Sequence, residues 1–421
     1  SFYCYGSTGQ YRNGSASTSS SMDYYYMNMY NNYYSNYYNM MYGGYGGYGT
    51  GLWTLTNCKF SGKIHLTDKT VFETSASKFV VVSGFLGYPA NDTATNTYVF
   101  NNCTLTDTAS ITSGAQCTNG DLYIGGFLAY TAKAAAWEFN GCSNNATLTT
   151  TAATSTSEDI IVGGAIGWKG GSGVVTLKGC SNAANINIEA KSSKTLYVGG
   201  IVAGTNVTKL VNDSAYPNCY NSGNITIGNK SGDAIVVSGN TAIGGYIGYW
   251  SSTKGIQQNI FNSGEVSVSN VKSNTFYVGG VCGWVNTNKA NIASGVELTN
   301  VGNVTVSGID VAAASTFVGG VIGSTTTAVT GAKCYCNVSA PGITNTGMIV
   351  GNPRGETPMV KDAHLGGNIA LEMGENSELE YVPILVPIGE DNFQNYIYGG
   401  ETTWEGTDYD GCQYLSVKPE N

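Results

Sequence analysis

Apolar residues return along this chain in two short patterns. In the first, small residues interrupt apolar ones, as in Tyr197-Val198-Gly199-Gly200-Ile201-Val202-Ala203-Gly204. Relatives of that run are Ser83-Gly84-Phe85-Leu86-Gly87-Tyr88, Gly125-Gly126-Phe127-Leu128-Ala129-Tyr130 and Gly163-Gly164-Ala165-Ile166-Gly167-Trp168. Three more follow: Gly244-Gly245-Tyr246-Ile247-Gly248-Tyr249, Gly279-Gly280-Val281-Cys282-Gly283-Trp284 and Gly319-Gly320-Val321-Ile322-Gly323-Ser324. The second pattern is strict alternation, with Ile225/Ile227, Val266/Val268 and Val304/Val306 separated by Thr or Ser. Alternation predicts strands with one inward and one outward face. The glycine run is apolar at odd and even positions alike, which predicts a strand covered on both faces. Each glycine weakens an isolated strand by roughly 0.5–1 kcal/mol. Glycines held at one register in every copy therefore predict that another backbone, or a flat partner, packs close there. A dinucleotide-binding loop would need a helix after each glycine run, and the pattern offers none.

From one second glycine to the next, the steps are about 42, 38, 36, 45, 35 and 40 residues. Such a period belongs to arrays whose units bury their apolar faces only by stacking on neighbours. Between the glycine runs lies a second motif, clearest in Cys219-Tyr220-Asn221-Ser222-Gly223-Asn224-Ile225-Thr226-Ile227. Residues 180–188, 142–150 and 58–66 follow it, Cys103 opens a degraded copy, and Cys336 opens a poor one. In two repeats the cysteine position holds Ile260 or Leu298. A column that exchanges Cys, Ile and Leu is an apolar core column, because free Cys behaves as a small hydrophobe. Metal ligation or a disulfide ladder would not tolerate the exchange. Cys282 replaces Ile or Val in a glycine run and is read as core too. Eleven cysteines cannot all pair within the chain, though Cys4 with Cys412, or Cys334 with a neighbour, could bridge in an oxidising compartment.

These elements predict three short strands per turn, at 174–177, 185–188 and 197–202 in one repeat. Stacked about 4.8 Å apart, turns of about 39 residues make an all-β parallel β-helix of about eight coils. Asn144, Asn182, Asn221, Asn262 and Asn300 would stack as a ladder at a corner, where Asn tolerates left-handed geometry. A propeller has a similar period and ranks second, because parallel coils better explain columns held to one residue. Cys-x-Asn-x-Gly-x-Ile-x-Ile followed by Val-Gly-Gly-Ile-x-Gly resembles the GLUG-type repeats of exported bacterial surface and adhesin-like proteins, over roughly residues 52–351. The resemblance implies a cell-surface setting, and it brings no catalytic residue with it.

The ends differ from the repeats. Residues 1–51 are rich in Tyr, Met, Gly, Asn and Ser. Within them Tyr26, Tyr30, Tyr33, Tyr37 and Met41 share one face of a 3.6-residue period, with asparagines opposite. An amphipathic helix that docks on this chain or a sister chain is the expectation, and a prion-like tract is the competing one. Residues 352–421 begin with Asn352-Pro353-Arg354-Gly355, which is expected to end the repeats. Strands are then expected around 381–386 and 413–417, in a small β cap.

Charge is sparse, at 11% of residues, and the formal balance is −9. It is uneven: residues 352–421 hold 3 basic and 13 acidic side chains. That balance excludes a basic nucleic-acid surface, and no apolar run is long enough to span a membrane. The first residue is Ser, consistent with an exported chain whose signal has been removed. His65 and His364 are the two histidines, and His65 reads as an outward strand residue. The carboxylates Asp121, Glu158, Asp159, Asp213 and Asp233 fall in different repeats, so no acid–base pair can be read from spacing. No catalytic residue, cofactor motif or metal-ligand cluster emerges. One chemical column remains, four residues after the second glycine: Tyr88, Tyr130, Trp168, Gly204, Tyr249, Trp284 and Ser324. It predicts an aromatic file that stacks within the protein or offers a platform to sugar rings or a partner subunit. The sum is an extracellular, structural or adhesive repeat protein that self-associates into a filament or surface assembly. Its rival is a carbohydrate-binding or carbohydrate-cleaving β-helix.

Overall fold

A regular turn of the chain is made of six short strands. The computed structural model describes residues 51–370 with short interruptions, and outside that span only 2–5 and 382–383. One turn runs through Val175–Lys178, Ser181–Asn182, Ile186–Ile188, Ser192–Ser193, Leu196–Gly199 and Val202–Thr205. Each of these strands pairs in parallel with its equivalents in the turns before and after, giving six sheets, numbered here first to sixth in that order. The molecule is therefore a parallel β-solenoid of about six regular turns, with six strands per turn where the sequence suggested three. Later turns thin out, and Ile292 and Asp310 contribute only isolated bridges to Ile256 and Lys272. Parallel pairing nevertheless continues past residue 351, because Val350–Pro353, His364–Leu365 and Asn368–Ala370 extend the sixth, second and third sheets. Val382–Pro383 then pairs antiparallel with Asn368–Ala370, inside the segment expected to hold a C-terminal strand. At the other end Phe2–Tyr5 pairs antiparallel with Lys78–Ser83, on the edge of the fifth sheet.

Extra strands arise because corners fall where a residue can adopt positive φ. Asn57 (φ 55°), Asn102 (51°), Gly141 (61°) and Gly179 (59°) each precede the cysteine column and separate the first sheet from the second. Asn270 (52°) and Gly308 (62°) do the same after the third sheet. Asn and Gly are the residues that tolerate this region. The left-handed asparagines are thus not those of the expected ladder.

Inside, residues of one type stack turn upon turn. Cys142, Cys180 and Cys219 are buried, and in the same column Cys219 lies beside Ile260, Ile260 beside Leu298, and Leu298 beside Ala332. Cys180 Sγ donates to Phe139 O at 3.3 Å and Cys142 Sγ to Phe100 O at 3.4 Å. Burial pushes the Cys219 thiol up to about 11. Cys336 does not occupy this column. The turn from Leu298 to Ala332 is only 34 residues long, which puts Cys334 at the level of Asn300 and leaves Cys336 beyond it, the two sulfurs 3.3 Å apart.

The second sheet carries the asparagine ladder. Asn144, Asn182, Asn221 and Asn262 each donate from Nδ2 to Oδ1 of the next asparagine at 2.7 Å. Each also donates to the carbonyl two residues on in its own turn. A buried amide must satisfy several donors and acceptors, and an in-register chain of amides does so while each bond polarises the next. Where the column changes to Cys334, Asn300 Nδ2 turns to Gly320 O at 2.7 Å and Cys336 Sγ at 3.2 Å.

Across the interior from the ladder stands the glycine corner between the fifth and sixth sheets. A Cβ on Gly200 would strike the carbonyl of Gly245 and the side-chain amide of Asn221, and Gly245 meets Gly280 and Asn262 in the same way. A Cβ on Gly199 would strike the carbonyl of Val202, three residues on. The corner is thus thrust inward until it touches the ladder, and only backbone fits. Close backbone approach was the sequence-based expectation for these glycines. The thrust also bends the outer faces of the fifth and sixth sheets toward each other.

Candidate functional site

That re-entrant corner builds an aromatic groove on the outside of the solenoid. The sixth sheet contributes the expected file: Tyr130 is in register with Trp168, Trp168 with Gly204, Gly204 with Tyr249, Tyr249 with Trp284, and Trp284 with Ser324. Tyr88 stacks on Tyr130 at 5.9 Å and 17°. The fifth sheet supplies a second file that the sequence reading missed: Val81, Tyr123, Ile161, Tyr197, Ala242, Tyr277 and Phe317. It was legible in principle, since every member lies two residues before the first glycine of its run, or before Ser83 where serine takes that place.

Both files join in one apolar cluster, separate from the interior core. Their sizes complement each other. Val81 shares a turn with Tyr88, Ile161 with Trp168, Tyr197 with Gly204, Ala242 with Tyr249, and Phe317 with Ser324. Two large rings meet in one turn at Tyr123/Tyr130, 4.4 Å apart, and at Tyr277/Trp284, 4.4 Å apart. Side chains packed by complementary volume form a second core, so much of the expected file is structural stacking.

The gap at Gly204 is not a break in the file. Trp168 tips over it, so that a Cβ on Gly204 would lie 2.5 Å from Trp168 Cε3. The indole thereby stacks on Tyr249 at 6.2 Å and 8°, and lies 6.4 Å from Tyr197, itself 4.8 Å from Tyr249. By moving toward the next turn Trp168 vacates its own level, where the fifth-sheet residue is the small Ile161. The result is a cavity of about 330 Å³. It is lined by Tyr123, Tyr130, Ile161, Trp168, Tyr197 and Tyr249. A hollow of about 410 Å³ beside 307–311 and 341–343 is larger. It contains no aromatic ring, and its Asp310 is paired with Lys272 at 2.8 Å.

The polar end of the aromatic cavity is Asp159 with Thr195. Asp121 and Asp159 stand four residues before the first glycine of their runs, so the solenoid stacks two carboxylates that the sequence reading had left scattered. Asp159 N–H donates to Asp121 Oδ1 at 2.8 Å, and Tyr123 Oη donates to Asp121 Oδ2 at 2.9 Å. Burial, then the Asp121 charge, raises the Asp159 carboxyl above the usual range, against hydrogen bonds from Thr195 and the charge of Lys194. Burial raises the Tyr123 and Tyr130 phenols too, with Asp121 contributing to each. Asp159 Oδ1 is shielded from solvent and has no hydrogen-bond partner. Farther along, Trp284 Nε1 and Ser324 Oγ are likewise buried without partners.

The other expected positions behave differently. His65 is exposed on its strand. Tyr26, Tyr30, Tyr33, Tyr37 and Met41 lie outside the described residues. Among the described residues no three His, Cys, Asp or Glu side chains gather as a metal site, and no helix is long and apolar enough to cross a membrane. Comparison with protein-family models, with curated proteins and with solved structures finds no match in any of the three.

Proposed function

We propose that this chain is an adhesive or structural β-solenoid of a cell surface, and that the outer aromatic groove is its contact surface. The observation that carries this reading is the second apolar cluster. The interior core closes the solenoid without it, yet the chain places rings at nearly every turn along the outside. Partly exposed Tyr88, Tyr130, Trp168 and Tyr249 form one lengthwise strip, the kind of surface on which partners are recognised. The resemblance to GLUG-type surface repeats supports the same setting. So does the Tyr-rich composition of residues 6–50, which lie outside the described residues. In this reading the chain self-associates through its aromatic side chains.

The test is sedimentation and electron microscopy of the full chain beside Trp168→Ala/Tyr249→Ala. Assembly should depend on concentration and be lost in the variant while its circular dichroism stays β-rich. A wild-type chain that stays monomeric at high concentration sinks the self-association. The second reading, a carbohydrate-binding β-helix, is favoured by the continuous ring faces. Saturable binding on a glycan array, abolished by Trp168→Ala and Trp284→Ala, would select it.

A further inference from the structure

We propose that Cys334 and Cys336 form a modification site: a small-molecule disulfide, for which oxidised glutathione serves as the probe, closes them into an intramolecular bridge that clamps the solenoid around 332–370. The inference rests neither on the aromatic groove nor on self-association. Three observations lead to it.

Geometry comes first. Two residues on one face of a straight strand stand about 6.6 Å apart, too far for a bridge whose Cβ atoms must approach to about 3.8 Å. Here the strand Ala332–Cys334 stops at the first cysteine, and the backbone bends at Cys336 before Val338–Ser339 begins. The bend brings the two sulfurs to 3.3 Å. A metal would hold them farther apart, since two thiolates on one zinc ion, each about 2.3 Å from it, stand about 3.8 Å apart in tetrahedral geometry. Among the described residues no third His, Cys, Asp or Glu joins them as a metal site.

Confinement comes second. Cys334 stands in the ladder column, in register with Asn300, and a Cβ on Gly320 would lie 2.5 Å from its sulfur. On the other side Asn300 Nδ2 donates to Cys336 Sγ at 3.2 Å. The glycine corner and the ladder amide thus keep the sulfurs together. The hydrogen bond with Cys334, then burial, raises the Cys336 thiol, so thiol exchange starts when these turns open.

Position comes third. Among the described residues the first sheet ends at Ile256–Gln257 and the fourth at Val271–Lys272, with only isolated bridges beyond. The cysteine pair lies past both ends, where the six-sheet turn has thinned. Segments with few ladder bonds open locally before the whole fold does, which admits a reagent to two cysteines that are 0% and 4% exposed. His364–Leu365 pairs with the strand that ends at Cys334, and Asn368–Ala370 with the strand just after Cys336. A bridge across the bend ties those two partner strands together.

The exchange balances. One cysteine thiolate attacks a sulfur of the oxidant and expels one thiolate, and the second attacks the cysteine sulfur of the mixed disulfide and expels the other. One S–S bond breaks and one forms, two electrons pass to the oxidant, and the two protons end on its released thiols.

The experiment incubates the full reduced chain with oxidised glutathione, at a urea concentration that leaves its circular dichroism unchanged. Acid stops the exchange, free thiols are alkylated in denaturant, and trypsin cuts the chain. Cleavage after Lys333 and Arg354 puts both cysteines, and no other, on one peptide. That peptide should escape alkylation and weigh two hydrogens less, and dithiothreitol should restore both thiols. In the oxidised chain the amides of His364–Leu365 and Asn368–Ala370 should exchange hydrogen severalfold more slowly than in the reduced chain. Cys336→Ser should remove that difference. Two alkylated cysteines on the peptide, a lasting mixed disulfide with glutathione, or equal exchange rates in both redox states would each overturn the proposal. So would a bridge that forms only in unfolding urea, because the fold would then not prepare it.

Discussion

The glycine strands carry two cores, one on each face, and the two are built on different rules. On the inner face each column keeps to one chemistry over many turns: thiol or aliphatic in the cysteine column, amide in the ladder, bare backbone at the second glycine. On the outer face neighbouring levels change size abruptly, from Tyr123 to Ile161 to Tyr197 and from Trp168 to Gly204 to Tyr249. A regular column is what stacking demands, since each residue must fit above and below at one spacing. Irregularity on the outer face lets rings lean into neighbouring turns, and at Ile161 that leaves a hollow. The inner face specifies the fold, and the outer face is free of that constraint.

Paired substitutions in one glycine run give the sharpest contrast. Gly200→Ala places a methyl against the Gly245 carbonyl and the Asn221 amide, neither of which can move without breaking a ladder. Overpacking against fixed backbone, with a buried amide displaced, should cost about 3–5 kcal/mol, at the extreme of single substitutions. Gly204→Ala, four residues on, meets side chains and no backbone: the rim of the Trp168 indole, and Tyr197 Cδ2 at 3.4 Å. Its cost should be nearer about 1 kcal/mol, and by pushing Trp168 back to its own level it should close the cavity. Urea denaturation of both variants checks this. Equal costs would mean that the outer cluster is as rigid as the inner one and that the two faces are not distinct.

Cys180→Ser probes the inner face more gently. A hydroxyl in place of the thiol can still donate to Phe139 O, but it is smaller and more polar in an apolar column. The expected loss is on the order of 1–3 kcal/mol, measured by the same denaturation curves. Thiol counting under denaturing and native conditions should also find Cys142, Cys180 and Cys219 reduced and unreactive until the chain unfolds.

What the sequence revealed divides along the same line. Solenoid class, parallel stacking, the apolar cysteine column and the asparagine ladder were all legible, because each is a column repeated in one chemistry. The six-strand turn was not, since corners at Asn57 or Gly141 depend on φ and leave no hydrophobic signature. The cavity was hidden for a different reason. Gly204 stands in the aromatic column without a ring and Ile161 belongs to the file that the sequence did not reveal, and both line or shape the hollow beside Trp168. The carboxylate pair was hidden by distance: Asp121 and Asp159 are 38 residues apart and meet only because their registers from the glycines coincide.

The smallest expected effect on stability carries the most information about the outer face. Folding raises the Asp159 carboxyl, by burial first and the Asp121 charge second. A group whose folded pKa is raised contributes its stability below the unfolded value, near 3.9 for Asp, and loses it as pH rises through the folded value. At neutral pH the ionised Asp159 is therefore a net burden on the fold. Asparagine cannot ionise and keeps a hydrogen-bonding group for Thr195, so Asp159→Asn should raise the melting temperature at pH 7. The gain should shrink as pH falls and disappear below about pH 3.9, where the wild-type carboxyl is protonated in both states. A residue whose replacement stabilises the chain is not there for the fold. If Asp159→Asn instead melts lower at pH 7, the carboxylate is a structural acceptor for Thr195, and the outer face is packed by the same rules as the inner one.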